Sequence, residues 1–285
     1  MLSIREVRWL VSAVGTLAMV VLMSSAADAQ VVITGGLDVT NQYSFRGIRQ
    51  NTSGASIWPY VDFGGTPFTG DGGVKSVSVN AGSWNAFHTQ IDDFTNLDGE
   101  ISSNKWYESD LYATLGLGFG GGVSLATTYT SYMSPGNYWS HIKEIAFKVS
   151  VDDSAKLGKG ALKPYGLVAF ELTDDGQADA GANQGVYVEL GVAPGYAGSK
   201  ASIAFPIKVG LSANDYYEFG TGSDSAFGYF SVAGIVTVPL GPHFNLHGGV
   251  EMQTYGDNLK MYNAYGDDGD AAVTAIGSGG LGFSF

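Results

Sequence analysis

The sequence predicts an all-β protein, a single antiparallel up-and-down transmembrane β-barrel of about 12 strands. Three observations favour this fold class. Apolar and polar residues alternate with a period of two along most of the chain, the alternating segments are long, and the chain ends on such a segment at Phe285. A period of two places successive side chains on opposite faces of a strand, whereas a helix would repeat every 3.6 residues.

The first segment shows the alternation clearly. The odd-numbered residues of 33–46 are apolar or aromatic with the exception of Asn41, and the even-numbered residues are polar or small. The segment 141–151 also fits a helix face, but a helix would leave Phe147 off that face, so we favour a strand. The recurring pattern predicts strands over 31–46, 55–64, 74–84, 106–119, 123–133, 141–151, 164–173, 185–193, 202–211, 227–238, 244–255 and 271–285.

Alternation alone does not separate a soluble sandwich from a barrel whose apolar faces meet lipid. Four features favour the barrel. The strands reach the roughly 9–11 residues that a tilted strand needs to cross hydrocarbon, and their number is even. The C-terminal Phe285 resembles the signal that the outer-membrane assembly machinery reads. Aromatic residues also crowd the strand ends, as interfacial girdles do: Trp58, Trp84, Trp106, Tyr107, Tyr132, Trp139, Tyr229 and Tyr255.

The N-terminus indicates export. Arg5 and Arg8 precede an uncharged apolar run, Trp9 to Met23, that is shorter than the roughly 20 residues of a spanning helix. Ala27-Asp28-Ala29 then supplies the small-x-small pattern of a cleavage site. We therefore predict a cleaved signal peptide over 1–29 and one barrel domain over 30–285, located in the bacterial outer membrane.

Composition excludes several function classes. The net charge of −13 repels nucleic acid. The chain has no cysteine, so it has neither a disulfide framework nor a cysteine metal site. Aromatic residues make up 13% of the chain, which is far from the composition of a disordered acidic protein.

The polar faces of the predicted strands would line the barrel interior. Strand parity assigns ten charged residues to that interior as pore-lining candidates: Asp38, Arg46, Asp62, Glu108, Asp110, Glu144, Lys148, Glu189, Lys208 and Glu251. Arg46 is expected near the end of the first strand, with Gly47 turning the chain into the first loop. The ten residues fit either a ladder of salt bridges that fills a narrow barrel or a polar channel with separated charges.

One family resemblance is carried by short motifs. Tyr43-Ser44-Phe45-Arg46-Gly47-Ile48 resembles the first strand of the TorF-type porins, Gram-negative outer-membrane proteins with a Tyr-x-Phe/Tyr-Arg-Gly signature. Gly82-Ser83-Trp84 and Glu108-Ser109-Asp110-Leu111-Tyr112 resemble later blocks of that family. The family often has serine two residues after the glycine, where this chain has Arg49. The resemblance covers residues 35–120, and it implies a barrel with a porin role and no known substrate.

Other motifs give weaker indications of chemistry. Gly116-x-Gly118-x-x-Gly121 has the spelling of a dinucleotide site, but a strand follows where that site needs a helix, so a glycine turn is favoured. His243 and His247 would share a strand face without a third metal ligand. Asp267-Asp268-Gly269-Asp270 lacks the twelve-residue calcium loop, and we favour a solvated acidic loop.

A lipid hydrolase would need serine, histidine and a carboxylate brought together. The best pairing in the sequence is Ser140-His141, and no Gly-x-Ser-x-Gly motif occurs. We therefore predict no catalytic residues, no cofactor and no metal, and regard an outer-membrane lipid hydrolase as the least favoured alternative.

The resulting hypothesis is a porin-like channel for passive diffusion of small hydrophilic solutes, with mild cation preference because the interior candidates and the long loops carry more carboxylates than cations. The main alternative is a closed structural or adhesion barrel that presents acidic surface loops. The expected partners are outer-membrane lipid, lipopolysaccharide bridged through divalent ions, and the barrel-assembly machinery, with no nucleic acid. The sequence leaves the oligomeric state open.

Overall fold

The protein is described by a computed structural model. It describes residues 31–51, 53–91, 94–173, 176–219, 223–264 and 272–285. The predicted signal peptide, 1–29, and the acidic cluster Asp267–Asp270 lie outside the described residues, so both stay predictions. No helix among the described residues has the length and apolar character needed to span a membrane.

Twelve antiparallel strands form one closed barrel in the described part of the chain, as predicted. They are β1 (Val32–Thr40), β2 (Ser56–Thr69), β3 (Val74–His88), β4 (Trp106–Phe119), β5 (Val123–Met133), β6 (Ile142–Val151), β7 (Tyr165–Glu171), β8 (Val186–Val192 and Gly195–Ala197), β9 (Ser202–Ala204 and Ile207–Asn214), β10 (Phe227–Leu240), β11 (Phe244–Tyr255) and β12 (Val273–Ser284). The breaks in β8 and β9 fall at Pro194 and Pro206, which have no N–H to donate to a ladder.

The barrel is a meander in which each strand pairs with the next one along the chain. It closes where β1 pairs with β12, from Thr34 opposite Ser284 to Thr40 opposite Ser278. Phe285 continues this seam, because its N–H donates to Ile33 and its carbonyl accepts from Ile33, both at 2.9 Å. Closure leaves none of the twelve described barrel strands at a sheet edge.

The two faces of the sheet are inverted relative to a soluble protein. Large apolar side chains on the outward face are exposed, among them Leu37, Leu111, Val149, Val236, Leu246 and Leu281. The charged members of each alternating pattern face the interior instead. An exposed apolar belt around a polar interior is the arrangement of a barrel whose outer surface meets lipid.

Six connections meet at one end of the barrel, which we call the loop end, and short turns form the other, the turn end. The loop end holds the hairpin Ser44–Phe45 with Ile48–Arg49, the hairpin Phe94–Thr95 with Ile101–Ser102, and helix α2 (Asp257–Asn263). The turn end holds helix α1 (Ser154–Leu157) and the single turn Gly120–Gly122, which confirms the glycine turn predicted after β4.

The first strand is shorter than predicted. β1 ends at Thr40 although the alternation runs to Arg46, because the chain turns away from the sheet at Asn41. The Asn41 N–H still donates to the Gly277 carbonyl at 3.2 Å, but the Gly277 N–H donates to the Asn41 side-chain oxygen at 2.7 Å, where a continuing strand would use its backbone carbonyl. Residues 43–46 continue the alternating sequence pattern, but they belong to a separate hairpin and not to β1.

Candidate functional site: the lumen and its plug

A tight hairpin follows β1 and carries Arg46 in its turn. Phe45 pairs with Ile48, and the two residues between them both have positive φ, +50° at Arg46 and +85° at Gly47. Positive φ at both central positions is the geometry of a two-residue type I′ turn, for which glycine at the second position is strongly preferred. The Arg-Gly pair of the resemblance motif is therefore a hairpin turn, and not a strand end as the sequence suggested.

The hairpin lies inside the barrel. Tyr43 packs against Trp58 and Trp84 on β2 and β3, with ring centroids 5.4 and 5.3 Å apart. The Ser44 hydroxyl donates to Gln253 of β11 at 2.8 Å, and Phe45 packs on Tyr132 of β5, on the opposite side of the ring, with ring centroids 5.5 Å apart. A segment that touches distant parts of a closed ring of strands must lie within the ring. Two more loop-end segments contact it, and we call residues 43–51, 215–219 and 257–263 together the plug.

Arg46 connects the plug to the barrel wall through Glu144 of β6. Its Nη1 and Nη2 donate to Glu144 Oε2 and Oε1 at 2.6 and 2.8 Å, a bidentate pair. Nη1 also donates to the Tyr216 hydroxyl at 2.9 Å, and the guanidinium lies 4.2 Å from the Tyr187 ring centroid. The side chains of Arg46 and Glu144 are only 12% and 4% exposed, so this ion pair is nearly dry.

The other two segments of the plug hydrogen-bond to the backbone of the same turn. The Tyr217 hydroxyl donates to the Arg46 carbonyl at 2.9 Å, and the Asn263 side chain donates to the Gly47 carbonyl at 2.8 Å. A buried layer surrounds these contacts: Ile48, Tyr187, Tyr216, Tyr217, Tyr229, Tyr255 and Leu259. Sequence reasoning missed the loop members of this layer, and the adjacent aromatic pair Tyr216-Tyr217 in a polar loop was the signal that it passed over.

Several loop carboxylates organise backbone instead of facing solvent. Asp179 Oδ2 accepts from the N–H groups of Glu218 and Phe219 at 2.8 and 3.0 Å. Glu218 Oε1 accepts from Ala182 and Asn183, and the hydrogen bond from the Asn183 backbone lowers the pKa of Glu218. Burial raises the pKa of Asp179. The described residues 179–183 and 218–219 are therefore cross-linked, and Asp179 and Glu218 contribute less to an acidic mouth than the sequence suggested.

A second group of predicted residues lies along the wall, away from the plug. We call Asp38, Asp62, Lys148, Glu189, Lys208 and Glu251 the open wall. Lys208 Nζ lies 3.5 Å from Glu251 Oε1, and these side chains are 28% and 26% exposed. Asp38 accepts from His247 at 2.8 Å, and Asp62 accepts from Tyr112 at 2.7 Å. In each of these three contacts the two partners lie on strands two apart in the ring, so the contacts run along the wall and do not cross the lumen.

Glu189 links the open wall to the plug. Its Oε2 accepts from the hydroxyls of Tyr187 and Tyr229 at 2.6 and 3.0 Å, and its Oε1 accepts from Tyr165 at 2.7 Å. The Lys148 ammonium lies 4.1 Å from the ring centroid of the same Tyr165. Since Tyr187 also packs on Arg46, this tyrosine contacts both Arg46 in the plug and Glu189 on the open wall.

The remaining two predicted residues, Glu108 and Asp110, face the interior of β4 beneath the hairpin. They are 5% and 7% exposed and hydrogen-bond to each other, and the Tyr43 hydroxyl donates to Glu108. All ten pore-lining candidates thus face the interior, but the structure divides them between a buried plug level and the open wall. Their role in conduction stays a prediction.

The histidine pair His243/His247 and the pair Ser140/His141, which the sequence offered as metal and catalytic candidates, have other partners in the structure. His243 contacts the Ser284 carbonyl, and His247 contacts Asn245 and Asp38. Within the described ranges, no group of three His, Cys, Asp or Glu side chains could hold a metal ion. His141 Nε2 lies 2.7 Å from Ser131 Oγ on the outward face, so its described serine partner is Ser131 and not Ser140.

Comparison with known proteins gives fold likenesses only. No family model matches the sequence, and no curated protein matches it. The translocator domain of the autotransporter NalP from Neisseria meningitidis is 11% identical, with 96% of this chain and 95% of that chain covered and a TM-score of 0.47. An outer membrane channel from Pseudomonas putida F1 is 10% identical, with 90% and 95% covered and a TM-score of 0.47.

Outer membrane phospholipase A from Escherichia coli is also similar, at 11% identity, with 88% of this chain and 89% of that chain covered and a TM-score of 0.40. These three proteins have different names and roles, and the TM-scores are all low. The likeness to these proteins therefore concerns the fold alone.

Proposed function

We propose that the protein is an outer-membrane channel of the porin type, through which small hydrophilic solutes diffuse passively. The observation that carries this proposal is the open wall. Six charged side chains line the interior of a barrel whose outer surface is apolar, and ion pairs such as Lys208–Glu251 remain about one-quarter exposed. Water that reaches these groups replaces lipid along the path of a polar solute and lowers its barrier to crossing.

Location and assembly belong to the same proposal. The exposed apolar belt fits a bilayer, and Phe285 lies on the closing seam, where its ring packs on His243 at 4.7 Å. We propose export by the segment 1–29, insertion by the barrel-assembly machinery, and contact with lipopolysaccharide at the loop end. Membership of the TorF-type porins rests on the motif Tyr43 to Ile48, whose Arg-Gly pair has a defined structural role in the hairpin turn.

Mild cation preference is the finer part of the proposal. The open wall has four carboxylates and two lysines, and in the plug Arg46 neutralises Glu144. A lumen with excess negative charge concentrates cations and depletes anions, and added salt screens the effect over about 8 Å at physiological ionic strength.

Conductance of the refolded protein in a planar bilayer tests the proposal. We expect small discrete currents from the wild type, because the plug occupies part of the cross-section. Current that is absent from the wild type and also from a variant with a loosened plug would favour the closed structural barrel instead. Glu144→Gln is a suitable loosened variant, since it weakens the bidentate pair without adding bulk.

A second candidate, a lipid hydrolase, is favoured by one observation, the 2.7 Å contact between Ser131 and His141 on the outward face near the loop end. Burial and then the neighbouring Lys143 lower the pKa of His141, a shift towards the neutral imidazole that a general base requires. Among the described residues, no hydrogen bond orients the second ring nitrogen. We therefore expect a fluorophosphonate probe in mixed micelles to leave Ser131 unlabelled. Labelling that Ser131→Ala abolishes would establish the hydrolase.

A further inference from the structure

A small cavity lies beside the Arg46–Glu144 pair, between the hairpin and strands β4 to β6. Its volume is about 90 Å³. It reaches solvent at the loop end, because Ala180 and Tyr262, two of its lining residues, are exposed. A single water needs about 10–15 Å³ of such space, so the cavity has room for a ligand of several heavy atoms.

Aromatic rings form most of its walls. Tyr107 and Trp139 have ring centroids 6.3 Å apart and planes inclined at 59°, so they form a corner. Phe45 and Tyr132 form a second corner, with centroids 5.5 Å apart and an interplanar angle of 67°. Tyr262 lines the same space from α2. The Arg46 guanidinium already lies 4.9 Å from the Phe45 ring centroid, so the rings left for a ligand cation are those of Tyr107, Tyr132, Trp139 and Tyr262. Several inclined rings around one space are typical of aromatic cages for organic cations.

The floor of the cavity holds two carboxyl groups, and their mutual hydrogen bond requires one of them to keep a proton, so the pair carries at most one negative charge. Glu108 lines the cavity and hydrogen-bonds to Asp110. The neighbouring Arg46 is bound bidentately to Glu144, so it compensates that carboxylate instead. When Glu108 is ionised it is a buried carboxylate whose nearest described cation is already paired with Glu144, and a bound cation would offset the cost of that charge.

Two buried acceptor atoms also lack donors. Gln177 lines the cavity, is only 8% exposed, and has no hydrogen-bond partner for Oε1 among the described residues. Asp110 Oδ1, next to Glu108, has none either. Trp139 Nε1, a donor on the same cavity, is also without a partner among the described residues. Buried polar atoms are rarely left unpaired in native proteins, and a ligand hydroxyl, which both donates and accepts, would serve Gln177 and Trp139.

We propose that this cavity binds a small organic ammonium ion, with its charged nitrogen in the aromatic corners near Glu108 and a hydroxyl or N–H donor directed at Gln177. The aromatic walls favour an organic cation over a metal ion, which would need more oxygen ligands than the cavity offers. Binding at this position requires no current through the barrel, so the proposal holds for a conducting channel and for a closed barrel alike.

Calorimetric titration of the folded barrel in detergent tests the proposal. The probes are choline, its uncharged isostere 3,3-dimethylbutan-1-ol, and potassium ion. We expect choline to bind at least roughly tenfold more tightly than the isostere, because only choline gains the cation–π and carboxylate attraction. Equal binding of the two would reduce the site to an apolar pocket and overturn the proposal, as would absent binding or equal competition by potassium.

Variants locate the site. Glu108→Gln and Trp139→Leu should each weaken choline binding roughly tenfold. Matched controls outside the cavity are Glu251→Gln on the open wall and Trp106→Leu, whose ring stacks on Phe87. Both controls should bind choline like the wild type. Weakening by the controls equal to that by the site variants would place the binding elsewhere, and heat-modifiable migration on gels checks that each variant is folded.

Discussion

Two ion pairs of the same chemistry lie at different levels of the lumen. Arg46 and Glu144 meet at 2.6 Å with side chains 12% and 4% exposed, whereas Lys208 and Glu251 meet at 3.5 Å and remain about one-quarter exposed. The first pair is bidentate and joins a loop to the wall. The Lys208–Glu251 pair runs along the wall and remains exposed to solvent. Burial therefore decides whether a charge pair acts as a structural anchor or as part of a solvated lining.

The two levels are mechanically connected through tyrosines. Tyr187 lies against the Arg46 guanidinium and donates its hydroxyl to Glu189 on the open wall. Tyr229 donates to the same carboxylate and packs against Gly47. Movement of the hairpin would thus disturb Glu189, so a change in the plug is expected to reach the lining charges.

Arg46→Ala should give the largest effect. It leaves Glu144 buried without its cation and removes the bond to Tyr216, and we expect a loss of about 3–5 kcal/mol in the stability of the plug level. The hairpin should release, so single-channel conductance should rise while the barrel stays folded. Urea unfolding followed on gels and planar-bilayer recordings measure the two effects.

The matched control for this prediction is Lys208→Ala, which breaks the wet pair and should cost at most about 1 kcal/mol. A double change, Arg46→Met with Glu144→Met, should recover most of the stability lost in Arg46→Ala, because it leaves no buried charge. Equal losses for Arg46→Ala and Lys208→Ala would contradict the distinction between the two levels.

The features that could be predicted are those with a local cause. The strands and the inward face of Asp38, Lys148 or Glu251 follow from a period of two, which each strand carries by itself. The position of Arg46 could not be predicted, because its alternating neighbours continue past Thr40 while the backbone turns at Asn41. Its bond to Glu144 joins residues that are far apart in the chain, and it depends on the hairpin folding inward. Tyr216 and Tyr217 lie in a loop, where no periodicity exists to assign them.

Gly47→Ala should give an intermediate effect, and Gly241→Ala is its control at the turn end. Both glycines have positive φ, +85° and +79°, so alanine costs about 1–2 kcal/mol of backbone strain at either position. At Gly47 the added Cβ would also lie 3.0 Å from Leu259 and Tyr229, whereas at Gly241 it meets nothing within 4 Å. Crowding should add about 1–3 kcal/mol at Gly47. Thermal unfolding in detergent compares the two, and a larger loss at Gly241 would contradict a tightly packed plug.

The smallest effect on stability, and the most specific one on function, is expected from single charges of the open wall. Lys208→Ala removes a cation and should shift the reversal potential in a salt gradient toward stronger cation preference, while Glu251→Gln should shift it the other way. Both shifts should shrink as salt rises, because the screening length falls from about 8 Å at 0.15 M to about 3 Å at 1 M. Stability should change by at most about 1 kcal/mol, since each residue is partly exposed. If both variants keep the wild-type reversal potential at low salt, the open wall does not set selectivity. The buried plug level, where Arg46 is paired with Glu144, would then be the level at which ions are discriminated.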